Sequence, residues 1–252
     1  MRFLLAIVLL TCFPSHAGTY ALYNFTNAEM TTASQHNDVV PIASVTKLFT
    51  AALILEEQLD LYEKVKVQSK ATGRFPVGTM VTRFELMKAM LIASDNRAAE
   101  TLAHTYPGGY ERFIRDVNTM VSDRNLRNTK IEDASGLKAG NVSTADDLVN
   151  FVYSLRKFPI IMELSSSAND SIKVETKKKY VNLPIRNTNP DINKYNSIMI
   201  SKTGFTSKAG RCLVMLVNYQ NEMYGLAILG EKTPKARSKV VSNLMNSIQG
   251  YQ

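Results

Sequence analysis

The chain is 252 residues long, with 45% hydrophobic and 21% charged residues and a formal net charge of +8. That length supports one large domain or two small ones, and the ordinary balance excludes a disordered or collagen-like chain. The positive charge leaves three partner classes: nucleic acid, an anionic membrane face, or an anionic polymer outside the cytoplasm.

Met1-Arg2 is a short positive start, residues 3–10 are an unbroken apolar run, and Ser15-His16-Ala17 ends on small residues at cleavage-site positions. This is the layout of a secretory signal peptide over residues 1–17, and the apolar run is too short for a permanent membrane anchor. Export argues against a nucleic-acid partner. Leu9-Leu10-Thr11-Cys12 faintly resembles a lipid-attachment box, although Thr11 is a poor residue before such a cysteine. Cleavage after Ala17 leaves Cys212 alone, so no internal disulfide is available. Within RCLVMLV, Cys212 reads as a buried strand residue without chemistry.

Residues 19–25 (TYALYNF) and 38–42 are rich in β-formers and predict a hairpin across the polar residues between them. From Ser44, VTKLFTAALILEE has the spacing of a buried helix ending near Gln58. Thr82-Arg83-Phe84-Glu85 is a capping box ahead of LMKAMLIA. Residues 97–106 continue helically to the break at Pro107-Gly108-Gly109, and Phe113, Val117, Met120 and Val121 form one stripe on the next helix. Ser143 is placed to cap STADDLVNFVYSLRKF, with Asp146 at its third helical position.

Strands return at 172–176 and 180–185, flanking Lys177-Lys178-Lys179 at a solvated hairpin tip. Residues 197–201 lead into Lys202-Thr203-Gly204, and 211–219 pairs with 224–229 around Gln220-Asn221-Glu222. Thr233-Pro234 starts a last amphipathic helix with Val240, Val241, Leu244, Met245 and Ile248 inward. Strands at both ends with helices between them predict an α+β fold, with a single domain over 18–252. Its sheet comes from both ends, and a helical lobe is inserted over roughly 45–170.

Beyond residue 17 the histidines are His36 and His104, with no H-E-x-x-H pair and no cysteine cluster, so a metal site is not expected. No glycine-rich phosphate loop follows a strand, and no cofactor is expected. What remains is the set S-x-x-K, S-x-N and K-T-G. S-x-x-K occurs at Ser44–Lys47, Ser135–Lys138 and Ser154–Lys157, S-x-N at Ser94-Asp95-Asn96 and Ser167-Ala168-Asn169, and K-T-G at Lys202 alone.

Context separates the copies. Ser44 opens the buried helix, which puts Lys47 on its face, near free backbone N–H groups. Ser135–Lys138 contains Gly136 and reads as a loop, Ser154–Lys157 lies at a charged helix end, and Ser167-Ala168-Asn169 lies in a polar stretch. Ser94-Asp95-Asn96 closes an apolar helix, from which polar side chains project into a cleft.

The residue types fit acyl transfer. A serine hydroxyl needs a base, and lysine serves as one only when neutral, a form favoured by burial and by a second cation such as Lys202. Ser94 can relay a proton to the leaving amine, and Asn96 can bond the substrate amide. Lys202 and Thr203 on an edge strand suit a carboxylate, while Gly204 would let substrate backbone approach. The backbone N–H groups of Ser44 and Phe205 would form an oxyanion hole.

PIASVTKLFTA, ASDNRAAETLAHTYPGG, ASGLKAGNVSTADDL and SKTGFTSKAGRCLVM together resemble the D-alanyl-D-alanine carboxypeptidase and endopeptidase family of low-molecular-weight penicillin-binding proteins. NRAAETLAHTYPGG, NVSTADDL and AGRCLVM are most similar to its endopeptidase branch, which cleaves cross-links between stem peptides. The resemblance implies a penicillin-recognising fold: a five-stranded antiparallel sheet flanked by helices, plus a helical lobe, with the site between them. It implies Ser44 as acylated nucleophile, Lys47 as its base, Ser94 and Asn96 across the cleft, and Lys202, Thr203 and Gly204 as the substrate-binding edge. Peptidoglycan stem peptides would be the substrates, β-lactams the inhibitors, and the periplasm the location.

The chain ends about fifty residues after K-T-G, without the β-rich domain and amphipathic membrane anchor of many carboxypeptidase relatives. Arg186 is positioned to help bind a substrate carboxylate. Three other readings compete. A class A β-lactamase needs a glutamate with a Leu-Asn pattern, which Glu132-Asp133-Ala134 lacks. A D-alanyl-D-alanine carboxypeptidase uses the same residues. A non-catalytic wall-binding protein would have lost the nucleophile or base, and both are present.

Overall fold

The computed structural model describes residues 18–175 and 179–250. Residues 1–17, where a signal peptide is expected and which include Cys12, and Lys177 and Lys178 of the expected hairpin tip, lie outside the described residues.

β1 (Thr19–Asn24) reverses into β2 (Glu29–Ser34), and a short β3 (Val40–Pro41) leads through a 3-10 turn, Ala43–Val45, into α1 (Thr46–Glu56). β4 (Lys64–Lys66), β5 (Met80–Thr82), α2 (Arg83–Ala93), α3 (Asn96–His104) and α4 (Gly109–Asp123) follow. Next come β6 (Val142–Ser143), α5 (Ala145–Ser154), α6 (Pro159–Ser166) and the hairpin β7 (Asn169–Glu175) and β8 (Tyr180–Arg186). β9 (Ile198–Thr206), β10 (Gly210–Tyr219), β11 (Glu222–Glu231) and α7 (Pro234–Gln249) end the described chain.

The expected five-stranded antiparallel sheet is present, in the order β2-β1-β11-β10-β9. Its central strands are apolar on both faces because both are covered. Ala21, Cys212, Val214, Leu216, Ala227 and Leu229 join the core of the helical lobe, while Leu22, Leu213, Met215, Val217, Leu226 and Ile228 pack with α7. Val241, Leu244, Met245 and Ile248 are the buried side of α7, with Val240 packed at its margin. The stripe Phe113, Val117, Met120 and Val121 is the buried face of α4. α1 is buried from Thr46 to Ile54, which makes it the hub of the lobe and carries Lys47 into the interior.

Three details differ from the sequence reading. The partner of β1 is β2, not residues 38–42. Asn24 Oδ1 accepts from the amides of Thr26 (2.9 Å) and Asn27 (3.3 Å), closing a tighter turn than the β-former pattern indicated. Val40–Pro41 instead pairs with Val142–Ser143 and steers the chain to Ser44. The cap of α5 is Thr144, whose hydroxyl accepts from the Asp147 amide (3.0 Å), because Ser143 is held in β6 and bonds Thr129 (2.7 Å). A separate helix, α6, starts where Pro159 occupies the first helical turn and packs beneath β9.

The capping box forms as read: Thr82 accepts from the Glu85 amide at 3.2 Å. The Glu85 carboxylate, however, reaches across to the Lys173 amide (2.7 Å) and ties α2 to β7. Thr82→Ala is expected to lower unfolding free energy by about 1 kcal/mol, read as a shifted urea midpoint with unchanged slope.

Candidate active site

Ser44 is half-buried in the turn between β3 and α1, ahead of the helix proper and not within it. Two glycines let this turn lie against its neighbours. A Cβ on Gly204 would stand 2.8 Å from Ile42 O and 2.9 Å from Ser44 N, and one on Gly136 would stand 1.9 Å from Ala43 O. The close approach at Gly204 is therefore made by the protein's own backbone, which locks the Ser44 turn to β9. Ala43 itself has φ 46°, a left-handed conformation that costs about 1 kcal/mol or more for a residue with a side chain.

In the first turn of α1, the fully buried Lys47 Nζ lies 2.8 Å from Ser44 Oγ, 2.7 Å from Asn96 Oδ1 and 2.5 Å from Ser135 O. Burial pulls this amine down to about 7, against the carboxylates of Asp133, Glu100 and Asp95, which raise it. The cation expected to depress Lys47, Lys202, is not the cause. The repulsion falls on Lys202, which burial first, and then Lys47 and Arg237, hold well below the ordinary lysine range.

Ser94 and Asn96 come to the opposite wall because α2 ends there. Ser94 takes the left-handed position (φ 57°) that closes α2, and Asp95 caps α3 by accepting from the Ala98 amide at 2.9 Å. Lys202 Nζ bonds Ser94 Oγ at 3.0 Å, so β9 and the helical junction meet across the cleft. The Thr203 hydroxyl lies 2.5 Å from that of Thr188. The Phe205 ring is 52% exposed, and the Arg211 guanidinium lies 3.8 Å from its centre.

The structure thus joins Ser44, Lys47 and Asn96 through the Lys47 amine, sets Gly204 against the Ser44 turn, and joins Lys202 to Ser94, while Thr203 is bonded to Thr188 and Phe205 is stacked on Arg211. The other S-x-x-K and S-x-N copies contribute no side chain to these contacts. Glu132 is engaged with Lys130 (2.7 Å), and His104 is exposed on α3. Arg186 is exposed at the end of β8. It lines a cavity of about 430 Å³ that includes none of the eight predicted site residues. Among the described residues no group of His, Cys, Asp and Glu has metal-binding form, and no helix is long and apolar enough to cross a membrane.

Four contributors escaped the sequence reading. The loop after Ile131 supplies a third wall, in which Asp133 accepts from the amides of Ser135 (3.0 Å), Gly136 and Lys138 (2.6 Å). That loop delivers the Ser135 carbonyl to Lys47 and seats Gly136 on Ala43. Arg237, from α7, is buried near Lys202 with its Nε unpartnered by any described residue. The sequence signal for the loop is the block ASGLKAG, whose serine–lysine spacing points to side chains, whereas its contribution comes from backbone groups.

Comparison with known proteins places the chain in a family and a fold. The chain is 36% identical over 225 residues to the D-alanyl-D-alanine endopeptidase of Escherichia coli K12, covering 86% of this chain and 72% of that one. It is 35% identical over 199 residues to the endopeptidase of the same name from Pseudomonas aeruginosa, covering 76% and 64%. Among solved structures it resembles the Streptomyces K15 DD-transpeptidase (TM-score 0.86, 24% identity) and penicillin-binding protein D2 of Listeria monocytogenes in its cefotaxime-bound form (0.80, 27%). Each covers 92% of this chain and 96% of the other. A family model described as D-alanyl-D-alanine carboxypeptidase matches residues 13–233, and this chain belongs to that family.

Proposed function

We propose that the chain is a serine DD-peptidase of peptidoglycan that cleaves D-alanyl cross-links between stem peptides. The observation that carries this reading is the 2.8 Å contact between Ser44 Oγ and a fully buried Lys47 whose amine titrates near 7. At neutral pH a large fraction of that amine is unprotonated and able to take the serine proton.

Ser44 Oγ attacks the D-alanyl carbonyl, Lys47 receives the proton, and the amides of Ser44 and Phe205 hold the developing oxyanion. Ser94, bonded to Lys202, passes a proton to the departing amine, and Asn96 orients the substrate amide. Water then hydrolyses the ester, with Lys47 as base again. Lys202, Thr203 and Arg237 receive the carboxylate of the leaving residue, whose charge restores the proton that burial takes from Lys202.

Endopeptidase action is supported by the names of the Escherichia coli and Pseudomonas aeruginosa relatives. The cefotaxime-bound Listeria relative supports β-lactams as inhibitors. Residues 1–17 would direct residues 18–252, as one catalytic unit, to the periplasm.

The test is incubation with cross-linked muropeptide dimers and pentapeptide monomers, followed by mass, with a penicillin-treated sample alongside. Penicillin-sensitive conversion of dimers to monomers is the expected result. Loss of D-alanine from monomers with intact dimers would make the chain a carboxypeptidase. No turnover of either would leave it a penicillin-binding wall protein.

A further inference from the structure

Residues 187–189 form a short segment against β9, the edge strand of the sheet. Its backbone is held without help from its middle side chain. The Thr188 amide donates to Ile92 O at 3.2 Å, two residues before Ser94, and the Asn187 amide donates to Ala168 O at 2.8 Å. Asn189 Nδ2 donates to Ser201 Oγ at 2.8 Å. Two residues further along β9, on the same face of the strand, the Thr188 hydroxyl meets that of Thr203 at 2.5 Å. Thr203 is buried and Thr188 exposed, so the pair reaches from the interior to the surface.

Two hydroxyls that share one contact have two proton arrangements. If Thr203 donates to Thr188, its single proton is spent, and its oxygen offers only lone pairs to an anion beside Lys202. If Thr188 donates, the Thr203 proton is free for that anion, and the first bond polarises the second. We infer that Thr188 is a positioning residue that donates to Thr203 Oγ1 and so holds the Thr203 hydroxyl as a donor to the carboxylate of the leaving residue. A carboxylate selects this arrangement, because a hydrogen bond to an ionised acceptor is about twice as strong as one to a neutral group. The inference rests on the proposed DD-peptidase reading for the carboxylate. It adds to that recognition a residue outside the S-x-x-K, S-x-N and K-T-G motifs.

The probes are benzylpenicillin and its methyl ester. Penicillin carries a carboxylate on the carbon attached to its lactam nitrogen, where a leaving residue carries its own, and the ester lacks the charge. Acylation of Ser44 by each is followed by mass in wild-type, Thr188→Val and Thr188→Ser proteins. Valine keeps the branched shape of threonine and removes the donor. In Thr188→Val the rate constant with benzylpenicillin is expected to fall about tenfold, because a charge-assisted bond is weakened. With the ester the same variant should stay within about twofold of wild type, which also reports folding. Thr188→Ser restores the hydroxyl and should recover benzylpenicillin acylation to within about twofold.

An equal loss with acid and ester, no loss in Thr188→Val, or a Thr188→Ser protein as slow as the valine variant overturns the inference. Failure of the catalytic reading looks different: wild-type protein turns over no muropeptide, while the penicillin pattern across the three proteins persists.

Discussion

Lys47→Met is expected to give a folded protein that reacts with penicillin about a thousandfold more slowly or worse, with Ser44 intact. Methionine matches the length of the lysine stem and fills the same buried path along α1, so the loss isolates the amine. General-base assistance accounts for about 10²–10⁴ of such a rate. In wild-type protein, acylation should fall tenfold per pH unit below about 7, because that is where the amine titrates and only its neutral form accepts a proton. A rate flat down to pH 5 would remove Lys47 as the base. Stopped-flow acylation across pH 5–9 reads both outcomes.

Stability gives an independent check with a definite sign. The amine titrates at 10.5 when free and at about 7 in the folded chain, so between those values the unfolded chain binds more protons. The folded state therefore gains stability as pH rises from 7 to 10.5, and the full burial penalty applies below 7. One such group contributes a slope of at most about 1.4 kcal/mol per pH unit. Lys47→Met should lose that part of the slope while Lys202 keeps its own. The variant also leaves Asn96 Oδ1 and Ser135 O without a donor, so its absolute stability has opposing contributions. The difference in slope between the two proteins is the informative quantity.

Most of the sheet was legible because its strands are apolar on both faces and its turns carry local signals. Gln220 and Asn221, at φ 51° and 65°, make the hairpin that the sequence marked between β10 and β11. β2 was not legible, since EMTTAS lies at the sheet edge with partly exposed side chains, and Met30 and Ala33, its two residues packed on the core, are three apart and imprint no period of two. In the site, Ser44, Lys47, Ser94, Asn96 and Lys202 could be named because their chemistry constrains residue type. Asp133, Ser135 and Gly136 act through backbone groups or by lacking a side chain, and spacing does not report either. Arg237 was hidden for another reason. It is one cation in a basic amphipathic helix, and only the packing of α7 against the sheet distinguishes it from Lys235 and Lys239, which stay exposed.

Gly136→Ala tests the wall that the motifs did not reveal. Gly136 has φ +82°, and an added Cβ would meet Ala43 O at 1.9 Å, Ala43 C at 2.3 Å and Ser44 N at 2.9 Å. All three are backbone atoms, so no side chain can swing aside. Left-handed strain of about 1–2 kcal/mol adds to an overpacking cost of about 1–3 kcal/mol, for an expected loss of about 2–5 kcal/mol in urea unfolding. Gly78 provides the control, with φ +87° and nothing within 4 Å, so Gly78→Ala should cost only the strain. The difference between the two variants isolates contact with the Ser44 turn. A shift of that turn by about 1 Å moves Ser44 Oγ away from Lys47 Nζ and is expected to slow penicillin acylation about a hundredfold in Gly136→Ala protein that remains folded. Equal losses in the two variants, or wild-type acylation in Gly136→Ala, would mean that the turn holds its position without this wall. The serine and lysine would then be placed by α1 and β9 alone.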